Sequence, residues 1–174
     1  MADRLGGRVP ATGAIALAAG ALIWTAAAAD ARAAEAAGTA RSFVMPDGYD
    51  PAASPPFSNG VLAGDTFYVA GHIGLDPATG KAATDVETEV RLLMDAIKRT
   101  LAKGGLGMED LVSVTIYCTD LSLYDRFNAV YRGYFTGKFP ARAFIGVNSL
   151  VRNARFELAG VAVSSKHAPA RGKK

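Results

Sequence analysis

Cysteine occurs once and histidine only twice in 174 residues. A single thiol closes no internal disulfide, and with His72 and His167 far apart in sequence Cys118 has no partners at metal-ligand spacing; the carboxylates are not spaced for a metal either. Cys118 ends the apolar run Leu111-Val112-Ser113-Val114-Thr115-Ile116-Tyr117-Cys118, where a buried structural thiol is the default reading. No internal repeat is visible, which argues against a solenoid. Acidic residues thin out along the chain: beyond Asp125, Glu157 is the only one. It stands inside Arg155-Phe156-Glu157-Leu158-Ala159-Gly160-Val161-Ala162-Val163, a stretch that otherwise reads as a buried strand.

The first 33 residues are of another kind. Arg4 and Arg8 precede an almost uncharged stretch over residues 9–29, and small residues follow, with Ala31-Arg32-Ala33 and Ala29-Asp30-Ala31 as small-x-small sites. That order predicts a signal peptide over residues 1–33, a mature chain starting near Ala34, and a periplasmic or secreted protein free of the membrane after cleavage. A retained anchor is the competing reading, since the apolar stretch approaches spanning length, although it is alanine-rich and weakly hydrophobic. No cysteine lies nearby to carry a lipid.

Without the leader, 16 basic residues face 14 acidic ones, and four of the basic ones sit in the tail over residues 166–174. The tail reads as a flexible solvated end. The body is thus nearly neutral and has no basic stripe, which argues against nucleic acid as a partner.

The remaining chain is of single-domain length. Residues 34–53 read as a linker and a short strand (41–45), followed by a proline-rich irregular loop. Two strands, 60–63 and 66–71, flank Gly64-Asp65, a tight-hairpin signal. Thr84-Asp85-Val86-Glu87 reads as a capping box opening a helix with Val86, Val90, Leu93, Ile97 and Leu101 on one face, stopped by Gly104-Gly105. A strand over 111–118 follows. A second helix, capped by Asp120 or Ser122, carries Leu123, Phe127, Val130, Tyr131 and Tyr134 and ends near Gly137; strands 142–147 and 155–163 close the chain. Two amphipathic helices cover one face of one sheet, and the other face then needs burial, for which oligomerisation is the usual remedy.

Arg142 opens the apolar run 143–147, fifteen residues before Glu157. A guanidinium offers a planar fork for a carboxylate and a glutamate moves protons, so the two suit a small acid whose adjacent carbon is attacked by water. The plainer reading is that Glu157 pairs with Arg142 or Arg155 across a hairpin.

Residues 54–165 resemble the reactive-intermediate deaminase family, also called RidA or YjgF. The likeness is carried by Pro56-Phe57-Ser58-Asn59-Gly60-Val61 with Tyr68-Val69-Ala70-Gly71-His72-Ile73-Gly74-Leu75-Asp76-Pro77, by Asn128-Ala129-Val130-Tyr131 with Tyr134-Phe135, and by Pro140-Ala141-Arg142 with Phe156-Glu157-Leu158. The resemblance implies an α+β, chorismate-mutase-like fold: a single mixed sheet with two helices on one face, assembling as a homotrimeric barrel with a cleft at each subunit boundary. It implies cofactor-free hydrolysis of small 2-imino or enamine acids, such as 2-iminobutanoate or 2-aminoacrylate, to 2-keto acids and ammonia. Arg142 would hold the substrate carboxylate and Glu157 would act as general base and acid. Asn128, Gly71, Phe57, Ser58 and Phe144 would line the site, with Gly146 on the Arg142 face leaving space for a ligand. Phe57 stands where tyrosine is common in the family, Phe144 where cysteine is frequent in bacterial members, and His72 where glutamine is frequent. A non-enzymatic trimer that binds small carboxylates or client proteins is the alternative of another class.

Overall fold

The computed structural model describes residues 40–164. The leader predicted over residues 1–33, most of the stretch read as a linker after it and the basic tail lie outside the described residues. Gly64 takes φ 63°, a left-handed value open to glycine, and so turns the chain within two residues between β2 (Gly60–Ala63) and β3 (Thr66–Ile73). A short β1 (Arg41–Val44) pairs antiparallel to β2 on the outer edge. The first helix, α1 (Val86–Lys103), buries Val86, Val90, Leu93, Ile97 and Leu101, the stripe that the helical spacing predicts. Its cap lies one residue later than the capping box places it: the Asp85 carboxylate, not Thr84, accepts from the Thr88 backbone N–H at 2.8 Å. The Thr84 carbonyl instead accepts from Arg155.

The chain then forms β4 (Leu111–Cys118), α2 (Tyr124–Tyr131), β5 (Ala141–Gly146) and β6 (Phe156–Val163). The second helix is shorter than its apolar spacing predicts. Asp120 caps a 3₁₀ turn at Leu121–Leu123, and after Tyr131 the chain tightens into another at Arg132–Tyr134.

The sheet is single and mixed, in the order β1-β2-β3-β6-β4-β5, with β4 and β5 parallel and the other neighbours antiparallel. The last strand inserts between β3 and β4, so β6 is central and β5 is an edge. Side chains alternate across the sheet. Phe67, Val69, Val114, Ile116, Cys118, Phe156, Leu158 and Ala162 point to the helices and are buried with the α1 stripe and Phe127. On the opposite face Tyr68 is half exposed, and Ser113, Thr115, Tyr117, Ala159 and Val161 are not fully covered either. The expected arrangement, two helices over one face of one sheet, is thus what the chain adopts.

One irregularity matters for the site. Val69 pairs with Gly160, but His72 pairs with Leu158, so β3 carries one extra residue and runs on to Ile73 rather than stopping at Gly71. The bulge puts His72 on the helix face. There Nδ1 lies 2.7 Å from the Ala70 carbonyl and Nε2 lies 2.9 Å from Thr100 Oγ1 of α1.

Candidate active site

Arg142 follows Ala141 at the start of the edge strand β5 and pairs with Val114, so its side chain leaves the sheet on the helix face. Its Nη1 donates to Asn128 Oδ1 at 2.8 Å and its Nη2 to the Tyr124 hydroxyl at 3.2 Å. The guanidinium lies 4.9 Å from the Tyr131 ring centre, 5.6 Å from that of Tyr124 and 5.8 Å from that of Phe144. Each such contact contributes about 0.5–2 kcal/mol, depending on desolvation. Two of the five N–H donors are committed to α2, and no carboxylate among the described residues is within ion-pair distance. A held cation with donors to spare borders a cleft of about 210 Å³, lined also by Asn128, Tyr131, Arg132, Phe139 and Pro140. Such an arrangement can take an anion.

Phe144, two residues along β5, packs edge-on against Tyr124 at 5.0 Å and Phe127 at 5.4 Å. Gly146 does share the Arg142 face, but the space above it is taken: an added Cβ would lie 3.2 Å from the Leu121 side chain. The room expected there for a ligand is therefore filled by the turn before α2. Tyr131 lines the cleft, and its hydroxyl is buried without a hydrogen-bond partner, a situation that costs about 1–3 kcal/mol.

Glu157 belongs to a different surface. It pairs with Tyr117 on one side and Ile73 on the other, and its side chain leaves the sheet on the face that the helices do not cover. Its carboxylate lies against the backbone of the β3 bulge: a Cβ on Gly71 would stand 1.9 Å from Glu157 Oε1, so any side chain there would push the carboxylate away. The loop carrying Phe57 and Ser58 borders the same bulge, since Asn59, next in the chain, accepts from the Ala70 N–H through its carbonyl at 3.0 Å. Phe57 is half exposed, and Ser58 Oγ lies 3.4 Å from Met45 Sδ.

The residues singled out in the sequence thus fall into two groups. Arg142 and Phe144 of β5 lie with Asn128 of α2 at one edge; Glu157 lies at the uncovered face against Gly71 of the β3 bulge, with the loop of Phe57 and Ser58 beside it. Within this chain the two groups stand on opposite faces of the sheet and do not meet. The plainer reading of Glu157 fails as well, because it makes no ion pair among the described residues.

Arg155 pairs instead with Glu89 of α1, which the sequence reading passed over. Glu89 is fully buried; its carboxylate accepts from Arg155 Nε at 2.6 Å, from the Arg155 backbone N–H at 2.7 Å and from the Phe156 N–H at 3.3 Å. Arg155 also donates to the Ala83 and Thr84 carbonyls. The only signal in the sequence was a carboxylate set between Val86 and Val90 on the apolar face of a helix. Cys118 is the buried thiol expected, lying 3.0 Å from the Asp120 carbonyl oxygen, and burial pushes its pKa up.

Residues 48–164 match the model of the family described as endoribonuclease L-PSP. Among curated proteins, protein DfrA of Myxococcus xanthus is 40% identical over 117 residues, 66% of this chain and 89% of that protein. The 2-iminobutanoate/2-iminopropanoate deaminase of Salmonella typhimurium is 34% identical over 116 residues, 65% of this chain and 91% of that enzyme. Of solved structures, the YjgF gene product of E. coli superposes with a TM-score of 0.63 at 31% identity, covering 70% of this chain and 98% of that one. E. coli TdcF with bound serine gives 0.64 at 28% identity, covering 71% and 100%. Fold, motif spacing and family match agree, and the chain belongs to the endoribonuclease L-PSP family, that of the RidA/YjgF proteins.

Proposed function

We propose that this protein hydrolyses small 2-imino or enamine acids to 2-keto acids and ammonia, in a site completed between subunits of a homotrimer. The observation that carries this reading is the state of Arg142: a cation held in place by Asn128 and Tyr124, unpaired, and bordering a cleft of a size for a small acid. Relatives about a third identical bear the name 2-iminobutanoate/2-iminopropanoate deaminase, which supports the same chemistry.

In this reading the substrate carboxylate takes the remaining donors of Arg142. Glu157, from the uncovered face of a neighbouring subunit, accepts a proton from water as its oxygen bonds to C2 of the protonated imine. The tetrahedral amino alcohol then receives that proton on nitrogen, and the C–N bond breaks as Glu157 takes the hydroxyl proton, so that the carbonyl forms and ammonia leaves, picking up that proton as ammonium. Gly71 lets the carboxylate lie flat against the strand, with Phe57 and Ser58 forming the rim. Asn128 and Phe144 hold and wall the Arg142 side. Opposite sheet faces supply the two halves, and the uncovered face needs a partner, so trimerisation both buries that face and closes the site.

The leader suits an exported enzyme whose imines come from an oxidase or dehydrogenase acting on amino acids outside the cytoplasm. RNA cleavage suits the chain less well, since the body over residues 34–165 has 12 basic against 14 acidic residues. A second reading, a trimer that binds carboxylates without turning them over, draws on Phe57, where the family commonly has a tyrosine hydroxyl. The two separate in one assay. With 2-iminobutanoate generated in place by an amino-acid oxidase, the deaminase reading expects 2-oxobutanoate and ammonia to appear faster than in buffer. A rate equal to buffer, together with retained 2-oxobutanoate binding, favours the second.

A further inference from the structure

Tyr131 sits at the centre of the aromatic cluster under α2. Its ring stacks on Phe127 at 5.7 Å, meets Phe135 at 4.8 Å and Phe139 at 6.2 Å, and lies 4.9 Å from the Arg142 guanidinium. The residue is only 3% exposed, yet it lines the Arg142 cleft, and its hydroxyl is the one buried side-chain oxygen or nitrogen among the described residues that lacks a hydrogen-bond partner. A core aromatic whose only task is packing is satisfied by phenylalanine, as the fully buried Phe127 beside it is. A hydroxyl at this point is a net cost to the fold unless something outside the fold uses it.

We infer that the Tyr131 hydroxyl is a ligand-binding group, donating to a carboxylate oxygen of the acid that Arg142 holds. Three observations carry this: the missing partner, the shared cleft, and the ring placed beside the same guanidinium. Burial also pushes the tyrosine pKa up to about 12, only partly offset by Arg142 nearby, so the group stays protonated and able to donate throughout the neutral range. A carboxylate seated there would meet a charged fork on one side and a neutral donor on the other, with Phe139 and Pro140 walling the rest of the cleft. The inference rests on the reading that this cleft takes a small carboxylate, but not on turnover.

The test uses the full chain and Tyr131→Phe, titrated calorimetrically with 2-oxobutanoate and with butanoate, alongside melting of each protein without ligand. Loss of one hydrogen bond to a charged acceptor is expected to weaken both ligands by roughly ten- to a hundredfold. The unliganded variant should melt no lower than the parent, because no internal bond is lost. Equal affinity in the variant, or a clearly lower melting temperature without ligand, would overturn the inference. Weakening confined to 2-oxobutanoate would place the hydroxyl at the oxo end and overturn the carboxylate assignment. Failure to release ammonia from imines would leave these binding results untouched; a fully active protein whose Tyr131→Phe variant binds both acids normally would sink this inference alone.

Discussion

Arg142→Lys separates geometry from charge. Lysine keeps the charge but loses the planar fork that grips both oxygens of a carboxylate while its other N–H groups reach Asn128 and Tyr124, so kcat/KM for 2-iminobutanoate should fall on the order of a hundredfold or more, nearly as far as in Arg142→Ala. A lysine variant close to the parent in steady-state assays would mean that charge alone suffices. Gly71→Ala probes the other group: the new Cβ would lie 1.9 Å from Glu157 Oε1, so the carboxylate must leave the bulge. Turnover should drop by roughly 10²-fold, at the low end for loss of a proton carrier, with 2-oxobutanoate binding at Arg142 largely kept. Unchanged turnover in that variant would remove Glu157 from the reaction. Arg142 and Glu157 were legible in the sequence because each is a lone charge in an apolar run. Tyr131 was not, since a tyrosine at helical spacing among phenylalanines looks like core, and only the environment of its oxygen distinguishes it.

At the scale of elements, the buried Glu89 carboxylate ties α1 to the start of β6, one residue before Glu157. Glu89→Ala would leave the Arg155 guanidinium and two backbone N–H groups without their acceptor, and a destabilisation of about 3–5 kcal/mol is expected by chemical denaturation. A loss under about 1 kcal/mol would show that water replaces the carboxylate easily. His72 ties the β3 bulge to α1, and burial, more than the neighbouring Arg99, lowers its pKa while the Ala70 carbonyl opposes the shift. The depressed folded-state value means that the unfolded chain binds the proton more readily. Stability from this residue is therefore present above the ordinary histidine pKa and is lost as pH falls through the folded value. Melting temperatures of the parent should decline more steeply between pH 7 and about 5 than those of His72→Gln, and parallel curves would contradict this. The order of elements could be read from periodicity and turn residues. The bulge could not, since an extra residue in a strand shows only when the partner strand's register is known, and the short second helix reflects 3₁₀ turns that leave the apolar spacing nearly unchanged.

For the whole molecule, the decisive feature is that the central strand β6 points Glu157 away from the helices while the edge strand β5 points Arg142 toward them. Sequence spacing had put the two side by side; the inserted order of the sheet, which spacing does not encode, puts them on opposite faces. If the site is built across a subunit boundary, two inactive proteins should repair each other. Arg142→Ala and Glu157→Gln, co-expressed with different tags in equal amounts and purified as mixed trimers, leave an intact Arg142 facing an intact Glu157 in one of the three clefts of every mixed trimer. The mixed trimers should then recover about a third of the parent's imine hydrolysis, although each variant alone is inactive. Mixed trimers no more active than either variant by itself would contradict a site shared between subunits.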